Sequence, residues 1–385
     1  YLMNKVILIG GNHHNILGTA RCFGINGFHP YGVIIGADAG SSIVHKSKYW
    51  AKTWELKADE EIPDFLVSNF ANETEKPVVI CCSDASAQCV DLNYDKLKKY
   101  FLLPSASEQQ GKISELMNKQ SQVDFANKYK IPMAKSFIVD LDNIEIPCDM
   151  VYPCIVKPVV SAEGKKADIK KCETREQTEK YLYYLKGKGY QRLLVQEYLE
   201  YDAEYLMVGA INKDRCCWFN SEKIRVWPVI GGSSSYLHIS NNNVANDFYT
   251  SVRDAFCMLG YDGIFDVEAF YVKGKMYLNE INWRNSGTIY SAFSTKVYYP
   301  VIWYYWKTGH EVPNDLKLSC ANANIYSMDE SLDFRHVIVK NISLKQWIND
   351  CKRSKAFALW FPSDLKPSIA NYWNLLRKLI RRRGV

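Results

Sequence analysis

The segment KVILIGG at residues 5–11 is an unbroken apolar run ended by two glycines. A strand with no polar alternation leaves neither face for water, so it belongs inside a sheet covered on both sides. The pattern recurs along the first hundred residues. NILGTARCFGINGF (15–28) reads as a helix stopping at Gly27, and PYGVIIGAD (30–38) as a second strand. KPVVICCSD (76–84) is another strand, followed by helical AQCVDLNYDKLKKYF (87–101). Strands alternating with helices fold as a parallel, doubly wound α/β sheet. Such sheets bind ligands beyond the carboxyl ends of their strands. That marks the loop GGNHHN (10–15) and the turn at Ser83 and Asp84 as a candidate crevice. The loop has no dinucleotide fingerprint, because Asn12 and His13 follow Gly10 and Gly11 directly. For His13 and His14 two readings stand, contact with a substrate anion and, preferred, solvated loop positions.

A chain of 385 residues exceeds one ordinary core, so two or three lobes are expected. With 47% hydrophobic residues the chain is globular, and a net charge of +6 does not suggest a nucleic-acid binder. The end of the chain, RKLIRRRGV, carries five basic residues and no acid. It reads as a solvated charged end, with weak contact to an anionic membrane surface or an acidic partner as the alternative. The twelve cysteines include two adjacent pairs in strand-like runs and form no CxxC. Zinc spacing is therefore missing, no signal-peptide pattern precedes the first strand, and a reduced, cytoplasmic protein is expected. VYYPVIWYYW (297–306) is too short to cross a bilayer and reads as core.

From Lys112 the pattern changes. ISELMNKQSQVDFANKYK (113–130) reads as one amphipathic helix, followed by short strands at 135–140, 152–160, 165–172, 192–200, 204–212 and 215–229. Helices are expected around 174–189 and 246–260, and a hairpin over 263–282. FRHVIVKN (334–341) reads as β-like and SLKQWINDCKRS (343–354) as a helix. This is an antiparallel α+β arrangement rather than a further βαβ run.

The hairpin FDVEAFYVKGKMYLNEIN (265–282) carries the strongest chemical signal. Its turn falls at Lys273 and Gly274. Strict alternation puts Leu278, Glu280 and Asn282 on one face, with Glu268 opposite and Asp266 two residues away. Carboxylates desolvated together need a cation. Two or three hard oxygen ligands at a hairpin end suit Mg²⁺, which completes its shell with phosphate oxygens and water. Lys157, inside the apolar run PCIVKPVV, needs an anionic partner as well. The following SAEGKK (161–166) is a small-residue loop whose amides could approach phosphates.

Taken in order, a lysine strand, a small-residue loop, an apolar strand ending in glutamate, paired acids and Glu-x-Asn-x-Arg resemble the ATP-grasp superfamily over about residues 112–300. The resemblance implies a Rossmann-like (pre-ATP-grasp) parallel sheet at 1–110, then a two-lobed ATP-grasp fold divided into 111–205 and 206–385. It implies ATP contacts from Lys119, Lys157, Ser161, Gly164 and Lys165, adenine recognition by Glu197 with the Tyr198 and Leu199 backbone, and ribose binding by Glu204. Mg²⁺, with Mn²⁺ as a substitute, falls to Glu268, Glu280 and Asn282. Arg284 would neutralise the acyl-phosphate or tetrahedral intermediate, with Lys157 also catalytic. Arg225, Gly232, Ser233 and Asp84 are candidates for the substrate, and Trp283 for shaping the acceptor pocket. Residues 20–24, 27–33 and 47–49, with the Asp-Leu-Lys-Pro at 364–367, resemble carboxylate–amine ligases that include D-aspartate ligase. The implied activity is ligation of a small carboxylate to an amine or thiol through an acyl phosphate, the acceptor ranging over an amino acid and a cell-envelope or sugar precursor. A kinase or a non-ligase nucleotide-binding protein is the alternative, and a homo-oligomer is open.

Overall fold

The structure is a computed structural model that describes residues 3–36, 42–159, 168–229, 232–240, 246–320 and 324–383. The first sheet holds β1 (Val6–Gly11), β2 (Tyr31–Ile35), β3 (Lys52–Leu56) and β4 (Val78–Cys81), all parallel, in the order β3-β2-β1-β4. The expected parallel α/β sheet is therefore present. Helix His14–Ile25 connects β1 to β2 and ends where Gly27 adopts φ +84°. There the Phe28 amide donates back to the Phe23 carbonyl at 3.0 Å, the Schellman closure that a glycine permits. A short strand, β5 (Ser105–Ala106), leads out of this unit.

A small antiparallel sheet follows, with β6 (Ser136–Asp140), β7 (Cys154–Pro158), β8 (Lys170–Cys172) and β9 (Arg192–Glu197) ordered β6-β9-β7-β8. Its core packs against helix Arg175–Gly187. The large sheet adds β10 (Ala203–Asn212), β11 (Arg215–Trp227), β12 (Ser233–Ser240), β13 (Tyr261–Val272), β14 (Lys275–Asn282), β15 (Asn324–Met328) and β16 (Ser354–Phe357). They run in the order β14-β13-β10-β11-β12-β15-β16, with β5 paired to β13. One apolar cluster joins Leu8, Ile34 and Ile80 of the first sheet to Leu206, Val208 and Phe219 of the large sheet, with helix Tyr299–Lys307 between them. A second covers the far face of the large sheet with helices Lys119–Lys128 and Asn246–Leu259.

Three local expectations change. The helix read over 113–130 is two, Lys112–Leu116 and Lys119–Lys128, because Asn118 caps the second by accepting from the Gln120 amide at 2.8 Å. FRHVIVKN is not a strand: helix Glu330–Ile338 runs through it, capped by Asp329, whose carboxylate accepts from the Leu332 amide at 3.0 Å. The β-branched residues near its end are overridden by the cap and the preceding acidic turn.

The third correction concerns the hairpin. Its turn lies at Lys273 and Gly274, both at positive φ, as expected for a primed turn. Yet the pairing runs Ala269 with Leu278 and then Glu268 with Glu280, so Asn279 has no partner and forms a β-bulge. The bulge reverses the alternation. Met276, Leu278 and Ile281 enter the far-face core together, while Glu280 and Asn282 turn to the opposite face. Leu278 therefore does not share a face with Glu280.

Candidate active site

On that opposite face, Glu268 sits across from Glu280, and Asp266 across from Asn282. Lys223 of β11 closes the group from the other side. Its ammonium, only 4% exposed, donates to Glu268 Oε2 at 2.8 Å and to Glu204 Oε1. Burial acts most strongly on Glu268 and would raise it, but the charge and hydrogen bond of Lys223, with help from Glu204 and Arg284, together outweigh it and hold this carboxyl below its ordinary range. Glu204 stays above its ordinary range, mainly through burial. Sequence reading passed over Lys223, although it shares the inward phase of Cys217, Phe219 and Ser221 along β11.

Glu280 is the conspicuous group. Among the described residues its carboxylate has no hydrogen-bond or ion-pair partner, yet it feels Glu268, Lys119, Lys157 and Asp84. Burial and then the Glu268 charge raise its pKa, while the two lysines oppose. Lys157, on β7, donates to Gln196 Oε1 at 2.8 Å, and Gln196 in turn donates to Ser136 Oγ. Burial and the neighbouring Lys119 push Lys157 down to about 8, with Glu280 pulling the other way. The cap at Asn118 sets Lys119 at the first position of its helix. Gln196 was not singled out from sequence; its place in a buried strand next to Glu197 is the signal.

Arg284 follows the hairpin and reaches across to the first unit. Nε donates to Asp84 Oδ1 at 2.9 Å, Nη2 to Asn282 Oδ1 at 3.2 Å, and Nη1 lies 3.9 Å from Asp266. Asp266 is buried, donates nothing, and accepts from Ser286 Oγ at 2.7 Å, and burial raises it to about 6. Asp84 and Arg284 thus meet, as a crevice at the carboxyl end of β4 requires. His14 belongs to the same place: Nε2 lies 2.9 Å from the Gly287 carbonyl and Nδ1 3.5 Å from Asp329, and burial lowers its pKa to about 4. His13 caps helix His14–Ile25 by accepting from the Asn15 amide at 3.3 Å. His14 is therefore half-buried, contrary to the solvated reading.

Other sequence candidates are placed differently. Glu197 Oε2 accepts from the Lys135 amide at 3.3 Å, and the Tyr198 N–H is taken by the Pro153 carbonyl at 2.9 Å. Of the Tyr198 backbone, then, only the carbonyl remains for a ligand. Arg225 is not a free cation: it pairs bidentately with Asp333 at 3.0 and 2.8 Å, meets Asp350 at 2.9 Å, and lies over the Tyr236 ring. Gly232 closes the β11–β12 turn, where a Cβ would meet the Pro228 carbonyl at 2.0 Å, and Ser233 is exposed beside it. Trp283 does not shape a pocket. It is 1% exposed among Phe125, Phe256 and Tyr261, on the far-face core. Ser161, Gly164 and Lys165 lie outside the described residues.

No three His, Cys, Asp or Glu side chains among the described residues could hold a metal alone. Glu268, Glu280 and the amide oxygen of Asn282 suit a cation that completes its shell with ligand oxygens, which is how Mg²⁺ is bound beside phosphates. The unpartnered Glu280 carboxylate fits that role. Asn282 must exchange its bond from Arg284 to join.

Residues 124–293 match the family described as ATP-grasp domain. This segment is an ATP-grasp domain. Its sequence kin include the formate-dependent phosphoribosylglycinamide formyltransferase of Thermococcus kodakarensis, 24% identical over 58% of this chain. The chain spans about half the length of that curated relative, 53%. The likeness in fold to solved structures extends beyond the matched segment. N5-carboxyaminoimidazole synthetase from Staphylococcus aureus superposes with a TM-score of 0.64 at 15% identity, over 88% of this chain and 86% of that one. The biotin carboxylase domain of Hydrogenobacter thermophilus 2-oxoglutarate carboxylase, solved with MgADP, ADP and bicarbonate, gives 0.63 at 14% identity, over 85% and 74%.

Proposed function

We propose that this chain is an ATP-dependent carboxylate–amine ligase that works through an acyl phosphate. The observation that carries the reading is Glu280: a carboxylate without a partner, set opposite Glu268 and under the influence of two lysines from separate elements. A polyphosphate with its cation would satisfy all of these groups at once. The MgADP bound to the biotin carboxylase neighbour and the carboxylate named for the formyltransferase relative support the same substrates here.

In this reading Lys119 and Lys157 grip phosphate oxygens between the small sheet and the hairpin, with Ser161, Gly164 and Lys165 as further phosphate contacts. Glu197 and the Tyr198–Leu199 backbone receive the adenine edge, and Glu204 the ribose. Mg²⁺, or Mn²⁺ in its place, would be held by Glu268, Glu280 and Asn282 and would neutralise charge on the phosphate oxygens. Lys223 can turn from its two carboxylates toward the transferred phosphoryl group, a role geometry adds to the sequence set. The carboxylate substrate takes the γ-phosphoryl, ADP leaves, and an amine attacks the acyl carbon and expels phosphate. Arg284 would meet the developing oxyanion, and preorganised charge of this kind counts more in a site closed to water. Asp84, His14 and Arg284 form the crevice wall in which the acid and the amine would meet. The units 1–110, 111–205 and 206–385 supply the crevice, the nucleotide cover and the metal hairpin, in a cytoplasmic setting that twelve free thiols suit. An amino acid joined to an envelope or sugar precursor is one product this leaves open.

Phosphate release from purified protein, screened over a grid of acids and amines with MgATP, tests the reading. ADP formation that needs both an acid and an amine supports the ligase. Formation that needs the acid alone would replace it with a kinase.

A further inference from the structure

The last helix, Lys366–Arg383, packs against the rest of the chain with an unusual face. Pro367 and Ser368 are buried and Asn371 and Asn374 half-buried, where the helix lies on the turn at Val44–Lys46. Ile369 and Trp373 instead face solvent, 61% and 53% exposed, while Tyr372 is 43% exposed with its hydroxyl turned toward Glu330. Their spacing of three and four residues makes one stripe, and the sequence continues it at Leu376 and Ile380. Trp360 and Leu365, just before the helix, are also exposed, at 46% and 37%. A surface helix ordinarily buries its apolar stripe against the body and leaves its polar side in water. Here that arrangement is inverted.

Charge identifies what would cover the stripe. From residue 365 to 383 the chain carries Lys366, Arg377, Lys378, Arg381, Arg382 and Arg383 and no acid. The Arg377 guanidinium lies over the Trp373 ring, 5.4 Å from its centroid. Apolar residues with Trp and Tyr on one side and a purely basic complement beside them suit the boundary of an anionic bilayer. A second copy of the helix would bring six like charges against six. No helix among the described residues is long and apolar enough to cross a membrane, so contact would be along the surface.

We propose that Lys366–Arg383 lies in the plane of an anionic lipid surface, with Ile369 and Trp373 inserted, Tyr372 at the boundary and Arg377 on the headgroups, drawn there by the basic sequence of this segment. The proposal is independent of the ligase reading. The enzyme would then work at a membrane face while its nucleotide site stays in water.

The test is co-sedimentation of the full chain with phosphatidylcholine vesicles, with and without about one-third phosphatidylglycerol. The expected result is sedimentation with the anionic vesicles and not with the neutral ones. An Ile369→Asp/Trp373→Asp variant should lose at least about tenfold in partitioning, and so should Arg377→Glu/Arg381→Glu, since each basic residue at such a surface contributes roughly fivefold. Both variants alter exposed or tail positions, and matching thermal melts by circular dichroism separate lost binding from lost folding. Failure of the wild type to sediment with anionic vesicles overturns the proposal, as does equal sedimentation of the variants. Self-association in vesicle-free solution that Ile369→Asp/Trp373→Asp abolishes would assign the stripe to a second copy instead and overturn it too.

Discussion

Glu280 and Lys157 are both held away from their ordinary titration, and each shift has a consequence that can be measured. Folding raises the Glu280 pKa, so the folded state tolerates its charge less well than the unfolded chain does. Stability from this group is lost as pH rises from the unfolded pKa through the folded one. Glu280→Gln removes that charge and keeps the shape. It should melt at or above the wild-type temperature while MgATP turnover falls by about 100-fold or more, since the proposed cation ligand is gone. Thermal denaturation and ADP release on the same preparation check both halves. Unchanged turnover would remove Glu280 from the metal set. Lys157 gives the opposite test. Its folded pKa of about 8 lies below the unfolded value, so between the two the unfolded chain binds more protons and stability rises with pH. Phosphate affinity runs the other way, being full while the ammonium is charged and falling above about pH 8. Nucleotide titrations from pH 6.5 to 9.5 should show this fall, and Lys157→Met should bind weakly with no step there.

At the scale of elements, Trp283 ties the hairpin of β13 and β14 to the helix that carries Lys119. Its indole is enclosed by Phe125, Phe256 and Tyr261, and its Nε1 donates to the Leu116 carbonyl at 3.2 Å. Trp283→Ala should cost about 3–5 kcal/mol by the cavity it leaves, read as a lower urea midpoint. Affinity for nucleotide should fall as well, because Lys119 and Arg284 lose their common support. The acid pair, the two lysines and the hairpin turn were legible because each is a local signal: residue type, spacing, or Lys-Gly at a turn. Their faces were not. The bulge at Asn279 depends on how β13 pairs with β14, which no periodicity within β14 reports. Arg225 misled for a similar reason. Its partners Asp333 and Asp350 are more than a hundred residues away, so a saturated guanidinium looks free in the sequence. Lys223 was missed because a lysine in a half-polar strand is unremarkable until Glu204 and Glu268 arrive from neighbouring strands.

Across the whole molecule, the segments at 20–24, 47–49 and 364–367 that the sequence marks out meet in one buried clasp. Arg21 is fully buried in helix His14–Ile25. Its Nε donates to Asp364 Oδ2 at 3.0 Å, its Nη2 to the Asp364 carbonyl at 3.0 Å and its Nη1 to the Leu359 carbonyl at 3.1 Å. Asp364 also accepts from Ser47 Oγ at 2.7 Å and from the Lys48 amide at 3.0 Å. The clasp pins the C-terminal segment, and with it β16 of the large sheet, onto the first unit. Both therefore hold the crevice wall that includes Asp84 and His14 in register with Arg284. Removing one partner of a buried pair leaves the other charge unpaired, so Asp364→Ala should destabilise by about 3–5 kcal/mol. Replacing both, as Arg21→Met with Asp364→Leu, leaves no orphaned charge, and most of that loss should return. Urea unfolding of the single and double variants reads this directly. If Asp364→Ala shifts stability by less than about 1 kcal/mol, the units are held by the apolar cluster between the sheets alone. Recovery of stability without recovery of turnover in the double variant would show that the clasp also fixes the geometry of the crevice.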